Sequence, residues 1–458
     1  MFAKFKRLCE SRLLSLLGYA MASFIPAVRR LEKYRNILIA AYCVNRGMIW
    51  ARNNPIRVRL APIATCNFRC LFCEIHRDNL LFPDRKPNAV TMKTIDNYAT
   101  FLASAYTLSF FGGTAEPLLS RQFGAIVERL KSRYGIRMSV NTNASPLTPA
   151  LSDILVNHGF DSMLISYHAG TLEGYRTLMT GKLEAVNRNI SYLTQKKMEM
   201  GTAKPELVFN YAPQKRNADE YKAIFDNAKG LGVDRVFVSR YHGGRNALQD
   251  EDVDFEDDPE AGNAFLERAY AYAEEIGLPL TPVEPRYFKE TSEVAWDAED
   301  YDRSIKCYQP WTDLYLEPVL NAENSHYVRV CNRTTLFQMD FEKLDLSTQA
   351  GFDRVWNHPM MQYLRETVNS DAINPLCKYC KNPARREVRN RDHASYAILR
   401  DDVMAAFVEE FRAACPDFAE VDGLIVLDGH PYDEREYLRR TSGEAAPTPK
   451  PEAIKATS

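Results

Sequence analysis

The sequence predicts an α/β fold, an open, partial (βα)6 barrel of TIM-like type with a smaller C-terminal module. Three observations carry this. Strand-like apolar runs at 56–63, 106–111, 137–141, 162–167, 206–211 and 235–241 alternate with helix-like runs near 92–105, 121–134, 150–158, 172–198 and 218–231. Parallel neighbours need crossovers, so this alternation reads as βαβ units. Six units fall short of a closed eight-fold barrel, which leaves the sheet open. Cysteines, finally, fall in two groups that the alternation separates, Cys66, Cys70 and Cys73 early and Cys307, Cys331, Cys377 and Cys380 late.

The chain has 458 residues, 45% hydrophobic and 26% charged, with a formal net charge of -2. That is an ordinary globular composition, and the charge balance gives no footprint for nucleic acid. The ten cysteines are grouped rather than spread as in a small secreted scaffold. Grouping of this kind reads as metal ligation, and thiolates need a reducing compartment. A cytoplasmic protein is expected. Lys4, Lys6, Arg7 and Arg12 precede an apolar run over 13–28 that is too short to span a bilayer. Residues 1–54 read as amphipathic helices, packed on the body or lying peripherally on the inner face of a membrane.

The expected organisation is an N-terminal helical segment (1–54), the barrel (55–290), the second cysteine module (300–385), a helical extension (386–440) and a disordered tail (441–458). An acidic stretch over 249–263 reads as a linker or lid. A helix near 264–276 and a short strand near 278–283 follow it. In the second module, runs at 314–319 and 327–331 read as a hairpin and 352–367 as a helix leading to Cys377-Lys-Tyr-Cys380.

Cys66-Asn-Phe-Arg-Cys70-Leu-Phe-Cys73 follows the first strand directly, where barrel-type folds place their sites. Three thiols are one short of filling the four iron corners of a cubane, and a vacant corner is what a catalytic site needs. A zinc site completed by His76 is the alternative on ligand count. In its spacing, its position after the first strand and Phe72 before the last cysteine, the segment resembles the radical SAM superfamily. The resemblance implies a [4Fe–4S] cluster held by Cys66, Cys70 and Cys73, with S-adenosylmethionine (SAM) on the open iron. It also implies reductive cleavage of SAM to a 5′-deoxyadenosyl radical that abstracts a substrate hydrogen.

The same resemblance assigns further cofactor contacts. Phe72 would lie against the adenine, and backbone groups of Gly112, Gly113 and Glu116 in Gly-Gly-Thr-Ala-Glu-Pro would meet the SAM amine. Asn141, Asn143 and Ser166 would supply polar contacts from strand ends. Relatives often carry an arginine for the SAM carboxylate at the place of Met179; Arg176, one helical turn earlier, reads as a surface arginine or as its stand-in. Where many relatives have Ser-x-Asp, this chain has Ser166-Tyr-His168, so His168 is the candidate proton acceptor or substrate hydrogen-bonding group.

Four later cysteines would close a site, and zinc or iron–sulfur both satisfy the count. Their order resembles SPASM and Twitch extensions, which implies a second [4Fe–4S] cluster at Cys307, Cys331, Cys377 and Cys380. Such a cluster would take or relay an electron, so dehydrogenation or another oxidative modification is the expected outcome. With 54 residues before the barrel there is little room for a peptide-recognition domain. A small molecule, sugar or lipid-linked intermediate is therefore the expected substrate, with a peptide, epimerisation or C–C bond formation as alternatives. Flavodoxin or ferredoxin is the expected electron donor. Lys381, Arg385, Arg386, Arg389 and Arg391 read as a solvated helix face or an anion-binding rim. A zinc-binding scaffold is the rival of a different class.

Overall fold

The computed structural model describes residues 31–73, 88–111, 115–239, 255, 258–281, 306–319, 325–331, 334–340, 343–378, 401–418 and 420–427. Residues 1–30, Gly112, Gly113, His76, Cys380, the basic run after it and the tail lie outside these, as does most of the acidic stretch. The expectations made for them stand without a structural counterpart.

The six expected strands are present as β1 (Arg57–Leu60), β2 (Thr107–Phe110), β3 (Arg137–Thr142), β4 (Ser162–Ser166), β5 (Glu206–Tyr211) and β6 (Arg235–Val238). They pair in parallel and in order, and a short β7 (Leu280–Thr281) adds a seventh parallel strand. The helix Phe123–Tyr134 shows why the alternation was readable. Phe123, Ile126, Val127 and Leu130 recur at helical spacing and are buried, and Phe123 meets Phe110 of β2 at 4.8 Å between ring centroids. Gly135 ends it in the left-handed conformation at φ 58°.

The second module continues the same sheet. β8 (Asp313–Pro318) pairs with the outer side of β1 in parallel, then β9 (Ser325–Cys331), β10 (Thr334–Asp340) and β11 (Leu424–Val426) follow antiparallel. The result is one eleven-stranded sheet, β11-β10-β9-β8-β1-β2-β3-β4-β5-β6-β7, with β11 and β7 at its edges. The sequence predicts the β8–β9 hairpin but not β10 or β11. The expected single helix over 352–367 is two, Gln349–Trp356 and Pro359–Thr367, because Pro359 cannot continue the first.

Arg365 locks these helices to the N-terminal segment. The side chain is 2% exposed, and its guanidinium donates to the carbonyls of Pro310 (3.0 Å), Ile49 (3.1 Å) and Trp356 (2.7 Å) and to Asn357 Oδ1 (3.0 Å). Its Cζ lies 5.0 Å from the Trp356 ring centroid, and burial pushes its pKa down to about 9. A cation held only by neutral acceptors is tolerated because its donors are satisfied. Across the sheet, buried His326 on β9 bonds the Tyr98 hydroxyl at 2.6 Å.

Replacing Arg365 by Met should cost about 3 kcal/mol, because it strands buried carbonyls; urea unfolding measures it. His326 gives a pH dependence. Burial holds its folded pKa near 3, below the ordinary 6.5, so the unfolded chain binds more protons between these values. Stability should be level above about pH 6.5 and fall below it by up to about 1.4 kcal/mol per pH unit for this group. His358, pushed down to about 4 by burial, adds to the fall. Urea unfolding of His326→Gln across this range should show a shallower acid limb than wild type.

Candidate functional site

The cysteine loop leaves β1 and docks on a turn that precedes the helix Leu183–Glu199. The Leu71 N–H donates to the Leu178 carbonyl at 3.0 Å, the Arg69 N–H to Thr180 Oγ1 at 2.7 Å, and the Cys70 thiol to the Met179 carbonyl at 3.5 Å. Phe68 stands edge-on to Tyr175 at 6.3 Å. A Cβ at Gly181 would come within 2.4 Å of the Phe68 ring, so the loop's close approach requires glycine there.

From the other side, the end of β3 holds the loop. Asn143 Nδ2 donates to Asn67 Oδ1 at 3.1 Å and lies 3.9 Å from Cys66 Sγ, while Asn67 Nδ2 donates to Ser145 Oγ at 2.8 Å. Glu116, 2% exposed, braces this corner. Its carboxylate accepts from Thr142 Oγ1 (2.6 Å), the Asn143 N–H (2.6 Å) and the Leu118 N–H (3.0 Å). Burial raises its pKa to about 7 against the pull of those donors. Both its oxygens are engaged inside the protein, so Glu116 acts on the site by fixing Asn143.

The three thiols stand close enough for their charges to interact. Burial pushes Cys66 up to about 11 and Cys70 well above the ordinary thiol range, and the neighbouring thiols add to both. Sulfurs so placed become anions only beside a cation. The Phe68 N–H, 3.4 Å from Cys66 Sγ, supplies a hydrogen bond of the kind that tunes cluster sulfur. This all-sulfur set of three fits an iron–sulfur cluster with one iron left open. As the chain stands, no group of three or more His, Cys, Asp and Glu side chains among the described residues is gathered tightly enough to hold a metal ion.

The other expected contacts divide. Phe72 meets the His168 ring edge-on at 4.9 Å, which brings these two together. Ser166 ends β4 half-buried, and Asn141 is exposed on β3. Asn143 is turned to the cysteine loop. Arg176 is exposed, in keeping with its reading as a surface arginine. The reason is local: Tyr175–Met179 forms a π-type turn, whose wider winding carries Tyr175, Leu178 and Met179 inward and Arg176 outward.

His168 is 5% exposed, and its Nδ1 accepts the Ala212 N–H at 3.1 Å. Nδ1 is therefore an acceptor and the ring proton sits on Nε2. Burial lowers its pKa to about 4. The ring is set to donate from Nε2, which suits the substrate hydrogen-bonding alternative of the two expected for it. Sequence reasoning also missed Asn67, Thr142 and Thr180, although Asn67 lies inside the cysteine motif. Gln214, 1% exposed, keeps both amide atoms without partners, and Asn210 Oδ1 on β5 is likewise unmatched.

Of the second cysteine group, the Cys307 N–H donates to Asn369 Oδ1 at 2.8 Å, and Asn369 returns a bond to the Cys307 carbonyl at 2.9 Å. The Cys377 N–H donates to Asn374 Oδ1 at 3.0 Å, and Asn374 bonds Thr367 at 2.7 Å. Both cysteines are thus tied to the turn that follows the helix Pro359–Thr367. Cys331 ends β9, and none of the described cysteines forms a disulfide. No described helix is long and apolar enough to cross a membrane.

Gly181→Ala should destabilise the protein by about 1–3 kcal/mol through overpacking against Phe68 and lower the iron taken up on anaerobic reconstitution. Gly230→Ala, whose added Cβ meets nothing, should leave iron uptake unchanged. Iron assay and thermal unfolding of the pair check this.

Residues 60–255 match the model of the radical SAM superfamily. Among curated proteins, the chain is similar to a probable GTP 3′,8-cyclase of Metallosphaera sedula, 26% identical over 195 residues, 41% of this chain and 55% of that protein. It is also similar to the pre-heme d1 synthase of Dinoroseobacter shibae, 24% identical over 219 residues, 47% and 51% of the two chains. The chain spans about half the length of these curated relatives. Among solved structures, Streptococcus suis SuiB bound to S-adenosylmethionine aligns with a TM-score of 0.49 at 15% identity, covering 76% of this chain and 77% of that one. Residues 60–255, which hold the cysteine loop and β2–β6, are thus the part of the chain that is similar to the radical SAM superfamily.

Proposed function

We propose that this protein is a radical SAM oxidoreductase whose cluster is held by Cys66, Cys70 and Cys73. The observation that carries the reading is the set of three part-buried thiols on the loop after β1, clamped from both sides. When bound, the cluster and SAM together supply a 5′-deoxyadenosyl radical for hydrogen abstraction. The chain's own part is positional. Thr180, Met179 and Asn143 fix the cysteine loop, Glu116 fixes Asn143, and Phe72 offers a ring face beside the His168 donor. Gly112, Gly113, Asn141 and Ser166 are the proposed polar and backbone contacts for SAM.

The second cluster is proposed at Cys307, Cys331, Cys377 and Cys380. In support, Cys307 and Cys377 are tied to one turn. It gives an electron from the substrate somewhere to go, so dehydrogenation or another oxidative change of a small molecule, sugar or lipid-linked intermediate is the favoured outcome. Flavodoxin or ferredoxin would reduce the enzyme, and a cytoplasmic location keeps the thiols reduced.

Cys70→Ala should lose the iron of the first site and abolish 5′-deoxyadenosine formation from SAM under dithionite, while Cys377→Ala should keep both and lose the iron of the second. Undiminished 5′-deoxyadenosine from Cys70→Ala would overturn the assignment. Zinc near stoichiometry in an anaerobic, colourless preparation would favour the scaffold reading.

A further inference from the structure

The inner face of the sheet carries an arginine whose charge no acid among the described residues balances. In the printed register Arg59 of β1 stands opposite Ser109 of β2 and Tyr315 of β8, and Tyr315 stands opposite Arg329 of β9. Register partners share a face, so Arg59, Tyr315 and Arg329 form one row across three strands. Val58, Leu60, Leu108 and Phe110 alternate with this row and are buried on the other face, toward the helices.

Acids on β8 answer two of the arginines on this face. Arg57 pairs with Asp313 at 2.6 Å, and Arg329 pairs with Glu317. Asp313 and Glu317 are 2% and 3% exposed, so both acids are committed to these pairs. Arg59 has no acidic partner among the described residues. Its guanidinium carbon lies 4.8 Å from the Tyr315 ring centroid. Tyr315 is itself 2% exposed, and its buried hydroxyl has no hydrogen-bond partner. Phe111, next to the glycines that follow β2, packs edge-on against Tyr315 at 6.2 Å.

A half-buried cation and an unmatched buried hydroxyl, side by side, ask for one ligand: an oxyanion. The row also has a telling place. The cysteine loop follows the carboxyl end of β1, seven residues beyond Arg59. Cys331 lies two residues beyond Arg329 on the same strand face, toward the amino end of β8. The row therefore lies between the cysteine loop and Cys331. We propose that Arg59, with the Tyr315 hydroxyl, binds an anionic group of the substrate, a carboxylate or phosphate, on this inner face between the cysteine loop and Cys331. The proposal rests on the radical SAM reading for the meaning of the site, but the anion binding itself does not depend on it. The planar guanidinium matches both kinds of oxyanion in a two-point contact that lysine cannot reproduce.

The test titrates the full-length protein, purified anaerobically, with inorganic phosphate and pyrophosphate in one arm and acetate and succinate in the other, by calorimetry at low salt. Wild type should bind one series, which identifies the group as phosphate or carboxylate. Arg59→Gln should weaken that binding about tenfold or more, Arg59→Lys should fall between, and Tyr315→Phe should weaken it while preserving the ring packing. Exposed Arg129→Gln on the helix Phe123–Tyr134 is the charge control and should change nothing. Thermal unfolding of each variant establishes that it is folded. Equal binding by wild type and folded Arg59→Gln, an equal loss in Arg129→Gln, or no binding of any probe by wild type overturns the proposal. Iron content of the same samples separates the two readings. Iron-free wild type that binds through Arg59 overturns the cluster alone, and iron-loaded protein indifferent to Arg59 overturns the anion site alone.

Discussion

The pairing of β1 on both sides is the constraint on which the rest depends. A strand so flanked has its backbone groups satisfied left and right, and it cannot shift register without breaking both ladders. β2 holds it to the parallel barrel, and β8 holds it to the C-terminal strands. The cysteine loop starts from this fixed strand. The same strand carries Arg57 and Arg59, whose surroundings come from opposite ends of the chain. What the sequence presents as two modules is, through β1, one sheet with a common inner face.

Polar groups in this protein are buried where precision is needed and are matched there with care. Glu116 takes three donors and so fixes the end of β3 against the cysteine loop. Arg365 takes four acceptors and ties the N-terminal segment to the helices behind the second cysteine group. Against that background the exceptions mean more. Of the eight described residues that keep unmatched buried atoms, Tyr315, Arg329, Gln214 and Asn210 lie on or beside the strands that line the inner face. A ligand that matches such atoms recovers the cost of their desolvation.

Much of this was legible in the chain. The six parallel strands and the β8–β9 hairpin follow from apolar alternation, a local pattern that packing rewards. The cysteine loop was legible because its ligands lie within one short segment, so their spacing survives in the sequence. Legibility failed where several backbone segments compete. Tyr175–Met179 reads as regular helix, yet it is wound as a π-type turn against the cysteine loop. Glu116 reads as a backbone cofactor contact, and the engagement of its carboxylate by the end of β3 is an addition that the sequence does not show. His168 reads as a proton acceptor or a substrate hydrogen-bonding group, and the Ala212 N–H on Nδ1 suits it to the second.

The sequence by itself determined the parallel βα order, the three-thiol loop after the first strand and the presence of a second cysteine group. Each is written in neighbours a few residues apart, where backbone geometry alone fixes what can meet. The tertiary structure decided what no local pattern holds. It continued the sheet from β1 into β8, set the tautomer of His168, and gave acids to Arg57 and Arg329 while leaving Arg59 without one among the described residues. Arg57 and Arg59 are two residues apart and alike in sequence. They differ because Asp313 stands opposite the first and Tyr315 opposite the second, across 256 residues of chain.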